Sequence, residues 1–142
     1  MRQEFAVAVF LCCAMSGGAA FAADPPAAAP APAAVGAPLM TQDELLAHLD
    51  KKDPQIVVLD VRTPEEFAAG HVPGARNVSH DQLAANLDQL ASLKDKQVVL
   101  YCRTGRRTAL ATETLKSAGF QNLRHLEGDY QGWAAANRPI EK

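Results

Sequence analysis

The feature that most constrains the fold is a strand, loop and helix pattern around one cysteine. Val98 to Tyr101 form a continuous apolar run, which is typical of a strand buried on both faces of a sheet. Cys102 follows directly, and a helical pattern runs from Thr108 to Ala118 and ends at Gly119. A second apolar run spans Ile56 to Val61. Strands of this kind need helices on both faces, so the pattern predicts an α/β fold with a central, mainly parallel sheet.

The rest of the folded part alternates strands and helices in the same way. Thr41 begins a capping box ahead of a first helix, and Thr63 begins another ahead of a short helix that stops at Gly70. We also predict a turn and brief strand within His71–Val78, a helix within His80–Leu93, a strand at Asn122–Leu126 and a last helix at Gly128–Ala136 with Trp133 on its apolar face. Ligands of such sheets bind in loops after the carboxyl ends of strands, which is where Cys102 lies.

The loop after Cys102 is rich in groups that stabilise negative charge. Arg103, Arg106 and Arg107 add three formal positive charges, and Gly105 lets the loop curl without a Cβ clash. The N-terminus of the following helix adds unpaired N–H groups and partial positive charge. A cysteine in this setting is expected to be a nucleophilic thiolate. The alternative is an inert, buried cysteine that acts as a small hydrophobic residue.

The N-terminal part of the chain predicts export. Phe5 to Met15 are mostly apolar, and Ala20-Phe21-Ala22 fits a small-x-small cleavage site, so residues 1–23 are expected to be a signal peptide. Its apolar run is too short to span a bilayer stably, which disfavours the alternative of a retained anchor. An Ala/Pro-rich linker is predicted at 24–38 and the folded domain at 39–142. We therefore expect a periplasmic or secreted protein without stable membrane insertion.

Composition excludes several classes of function. Cys12 and Cys13 lie in the predicted signal peptide, so Cys102 is left as a single thiol with no disulfide or CxxC partner. The four histidines show no tight ligand spacing, so we predict no metal site. The formal net charge of −2 gives no reason to expect a nucleic acid or membrane surface as a partner.

Four short motifs follow one another in the folded part of the chain. They are Leu59-Asp60-Val61-Arg62 followed by Pro64-Glu65-Glu66-Phe67, then Gly70-His71-Val72-Pro73-Gly74-Ala75 with Asn77, Cys102-Arg103-Thr104-Gly105-Arg106-Arg107, and Leu126-Glu127-Gly128 before Trp133. In this order they resemble the rhodanese family of sulfurtransferases in its single-domain form. The resemblance covers Thr41 to Ile140 and implies a three-layer, rhodanese-like fold with a sheet of about five strands.

What the resemblance implies is transfer of sulfane sulfur. Cys102 would take sulfur from a small anionic donor such as thiosulfate, hold it as a persulfide without another cofactor, and pass it to cyanide, a thiol or a protein acceptor. The Cys-Arg-x-Gly loop is similar to the thiosulfate-using type, and Arg103, with Arg106 or Arg107, would guide the donor. The persulfide would lie among the loop N–H groups, which belong to Arg103, Thr104, Gly105, Arg106 and Arg107.

Other residues have two interpretations each. Asp60 and Arg62 either support the site from the neighbouring strand end, or Arg62 forms a structural ion pair with Glu65 or Glu66. His71 is expected to fix its turn by a hydrogen bond rather than to act as a base. Where the family often has a second glycine this chain has Asp129, which either caps the last helix or, if it faces the pocket, repels an anionic donor.

Two other functions are alternatives to sulfur transfer between small molecules. Cysteine phosphatases and arsenate reductases use a similar loop, but they place five residues between cysteine and arginine, whereas four separate Cys102 from Arg107 and Thr108 occupies the next position. The second alternative is a persulfide carrier or binding module that serves a protein partner. Rhodanese-like modules without catalysis commonly lack the cysteine, so its presence argues against an inert module.

Overall fold

The computed structural model describes residues 36–142. The predicted signal peptide and residues 24–35 of the predicted linker lie outside this range. Inside it, the chain forms a five-stranded sheet in which every neighbouring pair of strands is parallel. The strands are β1 (Leu39–Met40), β2 (Ile56–Asp60), β3 (Arg76–Asn77), β4 (Gln97–Tyr101) and β5 (Leu123–Leu126), in the order β1-β5-β4-β2-β3. The predicted α/β fold with a parallel sheet is confirmed.

Five helices accompany the sheet within the described range. They are α1 (Gln42–Asp50), α2 (Pro64–Ala69), α3 (Leu87–Leu90), α4 (Arg106–Ser117) and α5 (Asp129–Ala135). Thr63 makes both hydrogen bonds of its predicted capping box, whereas Thr41 makes only the bond from the Glu44 N–H. Each hydroxyl accepts an N–H that the first helical turn leaves unpaired.

Two helix predictions need correction. The segment predicted as one helix from His80 to Leu93 is a single turn of α-helix, α3, between two 3-10 turns at Ala84–Asn86 and Ala91–Leu93. Its leucines still pack inward, because a 3-10 turn also returns a side chain to the same face after about three residues. The helix predicted from Thr108 begins two residues earlier, at Arg106. Arg106 and Arg107 therefore belong to the first turn of α4 and not to the loop.

Apolar side chains form one core on each face of the sheet. On one face Leu59, Leu100 and Cys102 pack with residues of α4, such as Leu115, and with the segment around α3. On the other face Val99 and Tyr101 pack with α1 and with Trp133 of α5, which is fully buried as predicted. Alternate residues of β4 thus enter opposite cores, as the period of a strand requires.

Two residues at the end of the predicted linker, Ala37 and Pro38, contact the folded domain. Ala37 is buried in the core beneath α4, and the Pro38 carbonyl accepts the His125 N–H at 2.9 Å. Leu39 and Met40 then pair with β5 as an edge strand. The two-residue strand was missed because so short a segment has no measurable period.

Candidate active site

Cys102 lies at the carboxyl end of the central strand, and α4 begins four residues later. The residue is 1% exposed, but it forms part of the wall of a surface pocket of about 380 Å³. The other residues that line the pocket are His80, Thr104, Arg106, Arg107 and Leu110. Among the described residues Cys102 is the single free cysteine. The buried cysteine therefore borders a small, cationic pocket.

The Gly105 N–H holds the sulfur of Cys102. It donates to Sγ at 3.0 Å, immediately before the first turn of α4. This geometry requires glycine, because Gly105 has a φ of +101°. A Cβ at this position would also lie 3.1 Å from Oδ2 of Asp129 and 3.3 Å from Cε1 of His125. The predicted role of Gly105 in curling the loop is confirmed.

Asp129 supports the loop from beneath. Its Oδ1 accepts the Cys102 N–H at 2.9 Å and the Thr108 hydroxyl at 3.2 Å, and its Oδ2 lies 2.9 Å from Nε2 of His125. Asp129 is the first residue of α5, whose N-cap is Gly128 without a side-chain hydrogen bond, so the prediction that Asp129 caps this helix is wrong. Its carboxylate is buried and is not part of the pocket wall, so protein donors and not the ligand face it.

The three arginines differ in position. Arg107 forms a two-pronged ion pair with Glu66, with Nη1–Oε2 at 2.6 Å and Nη2–Oε1 at 3.0 Å. These bonds, and secondarily the neighbouring Cys102 sulfur, raise the pKa of Arg107. Arg106 is exposed, lines the pocket and has no ion pair with a described residue. Arg103 is exposed but is not part of the pocket wall, so the structure places two of the three predicted guiding cations at the pocket.

Asp60 and Arg62 form a cluster on the other face of the sheet. Arg62 Nε lies 3.0 Å from both carboxylate oxygens of Asp60, and the Tyr101 hydroxyl donates to Asp60 at 2.6 Å. The guanidinium also lies over the Tyr130 ring at 3.9 Å. Burial, together with the Asp60 carboxylate, raises the pKa of Tyr101, so its hydroxyl stays protonated and donates.

This cluster corrects two expectations. Arg62 pairs with Asp60 rather than with Glu65 or Glu66, because Glu66 is engaged by Arg107. None of the hydrogen bonds made by the Asp60 and Arg62 side chains reaches residues 102–107. Tyr101 separates them from the thiol, since it and Cys102 enter opposite cores. They support the site only by fixing the strand that precedes it.

His71 has the predicted structural role. Its Nδ1 lies 3.0 Å from the Phe67 carbonyl, its ring stacks on Phe67, and its backbone pairs with Glu141 in both directions. His80, in contrast, was missed as a pocket residue. Its N–H donates to the Val61 carbonyl just after β2. This bond holds the chain that follows β3 against the end of β2 and brings His80 to the pocket. A lone histidine between Ser79 and Asp81 gave no pattern that could have revealed this.

The described part of the chain contains neither a metal-binding cluster nor a helix that could span a membrane. No group of three or more His, Cys, Asp or Glu side chains is placed to bind a metal ion in this part of the chain. The helices between residues 36 and 142 include none with the length and apolar character needed to cross a membrane.

Comparison with known proteins identifies the family. Residues 41–136 match the rhodanese-like domain. The human thiosulfate:glutathione sulfurtransferase is 31% identical over 110 residues, which cover 69% of this chain and 94% of that protein. For the first curated relatives, the matched region spans between 25% and 70% of their own length.

Solved structures show the same fold. A rhodanese-related protein from Thermoplasma volcanium is 27% identical with a TM-score of 0.63, covering 73% of this chain and 97% of that one. A protein of unknown function from Rhodopseudomonas palustris, described as a possible tyrosine phosphatase, is 28% identical with a TM-score of 0.66 and covers 74% and 85%. Together, the match over residues 41–136 and the sulfurtransferase relatives show that this chain belongs to the rhodanese-like domain family, whose members here include sulfurtransferases.

Proposed function

We propose that this chain transfers sulfane sulfur from a donor such as thiosulfate to a thiophilic acceptor through a persulfide on Cys102. One observation carries the proposal: Sγ of Cys102 accepts the Gly105 N–H at the N-terminus of α4, in a pocket whose wall includes Arg106 and Arg107. A sulfur anion at this point faces an N–H donor, the positive end of a helix and two guanidinium groups.

In the first half of the cycle, the Cys102 thiolate attacks the outer sulfur of thiosulfate. The new bond joins Sγ to that sulfur, the S–S bond of thiosulfate breaks, and its electron pair leaves with sulfite. The products are a persulfide anion on Cys102 and sulfite, so charge is conserved. Arg106 attracts the dianionic donor, and Arg107, which Glu66 holds in place, stabilises the charge that reaches the sulfur.

In the second half, the acceptor attacks the outer sulfur and the Cys102 thiolate leaves. Cyanide, a small thiol and the thiol of a protein partner are the acceptor classes of this proposal, and no cofactor takes part beyond the covalent sulfur. The name of the human relative, thiosulfate:glutathione sulfurtransferase, supports a thiol. If the loaded protein delivers sulfur to a protein partner and not to small acceptors, it is a carrier.

The loop argues against phosphoryl transfer. A phosphatase loop needs arginine where this chain has Thr108, and the Thr108 side chain is buried and donates to Asp129. Arg107 lies one position earlier and is paired with Glu66. The label of the Rhodopseudomonas palustris protein as a possible phosphatase therefore does not transfer to this chain.

We further propose that the protein acts outside the cytoplasm after removal of residues 1–23. The apolar stretch from Phe5 to Met15 and the Ala20-Phe21-Ala22 site support this. Mass spectrometry of the protein recovered from the periplasm of an expressing bacterium should give a new N-terminus at Ala23 or Asp24. Recovery of the full-length chain from the cytoplasm would refute the proposal.

Turnover tests the enzymatic function. The purified protein is mixed with thiosulfate and cyanide, and thiocyanate and sulfite are measured together. We expect equal amounts of the two products and none with Cys102→Ser. Ser79→Ala is the control for substitution of a buried polar residue that is not part of the pocket wall. Absence of both products with the wild type, for thiosulfate and for other sulfane donors, would contradict the proposal.

A further inference from the structure

His80 differs from the other three histidines of the chain. A ring nitrogen of His48 bonds Asp53, one of His71 bonds the Phe67 carbonyl, and one of His125 bonds Asp129, each within about 3 Å. Nδ1 of His80 is fully shielded from solvent and has no hydrogen-bond partner among residues 36–142. Such a bond fixes the tautomer of a structural histidine. His80 is the one histidine whose ring makes no such bond with a described residue.

His80 lies in the wall of the pocket that contains Cys102. Its backbone is fixed, because the His80 N–H donates to the Val61 carbonyl at 3.2 Å and the Asn77 side chain bonds the Asp60 and Arg62 carbonyls. The charged groups around the pocket are Arg106 and Arg107 from α4, with Asp81 next to His80 in the chain. A residue whose imidazole can accept or donate a proton thus lines the same pocket as the reacting cysteine.

Proton transfer is needed for a thiol acceptor and not for an anionic acceptor. Thiosulfate, and cyanide in alkaline solution, react as anions that carry no proton on the attacking or leaving atom. At neutral pH a thiol acceptor carries its proton on the sulfur that must attack, and the transferred sulfur stays an anion that can take this proton. A histidine at this position therefore adds nothing to transfer to the cyanide anion but removes a barrier to transfer to a thiol.

We infer that His80 is the proton relay for a thiol acceptor. This inference rests on the proposed persulfide cycle and names its acceptor class. His80 takes the proton from the acceptor thiol RSH at Nε2, the ring nitrogen that is not shielded, the resulting thiolate bonds to the outer sulfur, and the bond from that sulfur to Sγ breaks. Its electron pair stays on Cys102 as thiolate, and His80 returns the proton to the transferred sulfur. RSH and the persulfide anion thus become RSSH and the Cys102 thiolate, with atoms and charge balanced.

Leu110 gives the acceptor an apolar surface. This side chain lines the same pocket and is 56% exposed, although most large apolar side chains of the domain are buried. Cyanide has no carbon chain to cover it, whereas an organic thiol does. Leu110→Ala should therefore raise the KM for a thiol acceptor and leave the KM for cyanide unchanged.

The rates at which His80→Gln transfers sulfur to two different acceptors test whether His80 relays the proton. The variant is loaded with thiosulfate, and the persulfide is verified by mass. Transfer to glutathione is timed at neutral pH, and transfer to cyanide is timed in alkaline buffer, in which cyanide is an anion. We expect loading and cyanide transfer within about twofold of wild type and glutathione transfer slower by about tenfold or more at neutral pH. His48→Gln, on the opposite core face in α1, is the matched control and should change neither rate.

A second variant keeps the test decisive if His80→Gln folds poorly. His80→Ala removes the ring, and added imidazole should restore glutathione transfer in it without accelerating cyanide transfer. Equal slowing of both acceptors, an unchanged glutathione rate, or no rescue by imidazole would overturn the relay. Failure of the wild type to form a persulfide would instead refute the proposed function, so the two failures are distinguishable.

Discussion

The ion pair between Glu66 and Arg107 should make the stability of the domain depend on acid pH. Hydrogen bonds from Arg107 lower the pKa of Glu66 from 4.5 to about 2. A shift of this size corresponds to about 3 kcal/mol. Because the side chains of Glu66 and Arg107 are 31% and 24% exposed, solvent screening reduces the net contribution, and we expect about 1 kcal/mol.

The sign follows from the direction of the shift. Since the pKa of Glu66 is lower in the folded than in the unfolded chain, the ion pair contributes its full stability above pH 4.5 and loses it as the pH falls toward 2. Glu66→Gln keeps a side chain that can accept the Thr63 N–H but removes the charge. The variant should therefore be less stable than wild type by about 1 kcal/mol at pH 7 and nearly equal to it at pH 2.

Urea unfolding at a series of pH values measures this difference. Glu65→Gln is the matched control, because Glu65 is its neighbour, is exposed and makes no ion pair within residues 36–142. The control should show no such pH-dependent difference. A deficit for Glu66→Gln that stays constant from pH 7 to pH 2 would show that its cause is packing, and would refute the electrostatic account.

Four further substitutions separate the parts of the site. Gly105→Ala forces a left-handed φ and a close contact with Asp129, so urea unfolding should show a loss of about 1–3 kcal/mol and stopped-flow mixing with thiosulfate a slower sulfur loading. Arg106→Ala should slow loading by thiosulfate roughly tenfold at low salt, whereas Arg103→Ala, outside the pocket wall, should change it less than about twofold; equal effects would contradict this assignment. Tyr101→Phe should cost about 1–2 kcal/mol in urea unfolding, because it removes a buried hydrogen bond, and should leave the loading rate unchanged because its hydroxyl faces the other core.

The sequence predicts the sheet and the position of the thiol well, because both depend on local patterns. Two apolar runs identify β2 and β4, and the adjacent helical pattern places Cys102 at a carboxyl strand end. Gly105 could be assigned its conformation from residue type alone. Family motifs then specified the type of chemistry, which the comparisons confirm at the level of the rhodanese-like family.

Contacts between distant segments could not be predicted in this way. Asp129 meets the Cys102 N–H across 27 residues and Glu66 meets Arg107 across 41, so only the folded chain shows these pairs. Arg62 has acidic neighbours at three positions, and local spacing did not decide that Asp60 is its partner. His80 reached the pocket through a backbone bond to Val61, which no period in the sequence reports.

The most direct test of the central claim is the intact mass of the purified protein before and after thiosulfate. We predict a gain of one sulfur atom, located on the peptide that contains Cys102, removed by cyanide and absent from Cys102→Ser. A wild-type mass that thiosulfate and other sulfane donors leave unchanged, or a sulfur gained equally by Cys102→Ser, would contradict persulfide chemistry at this residue.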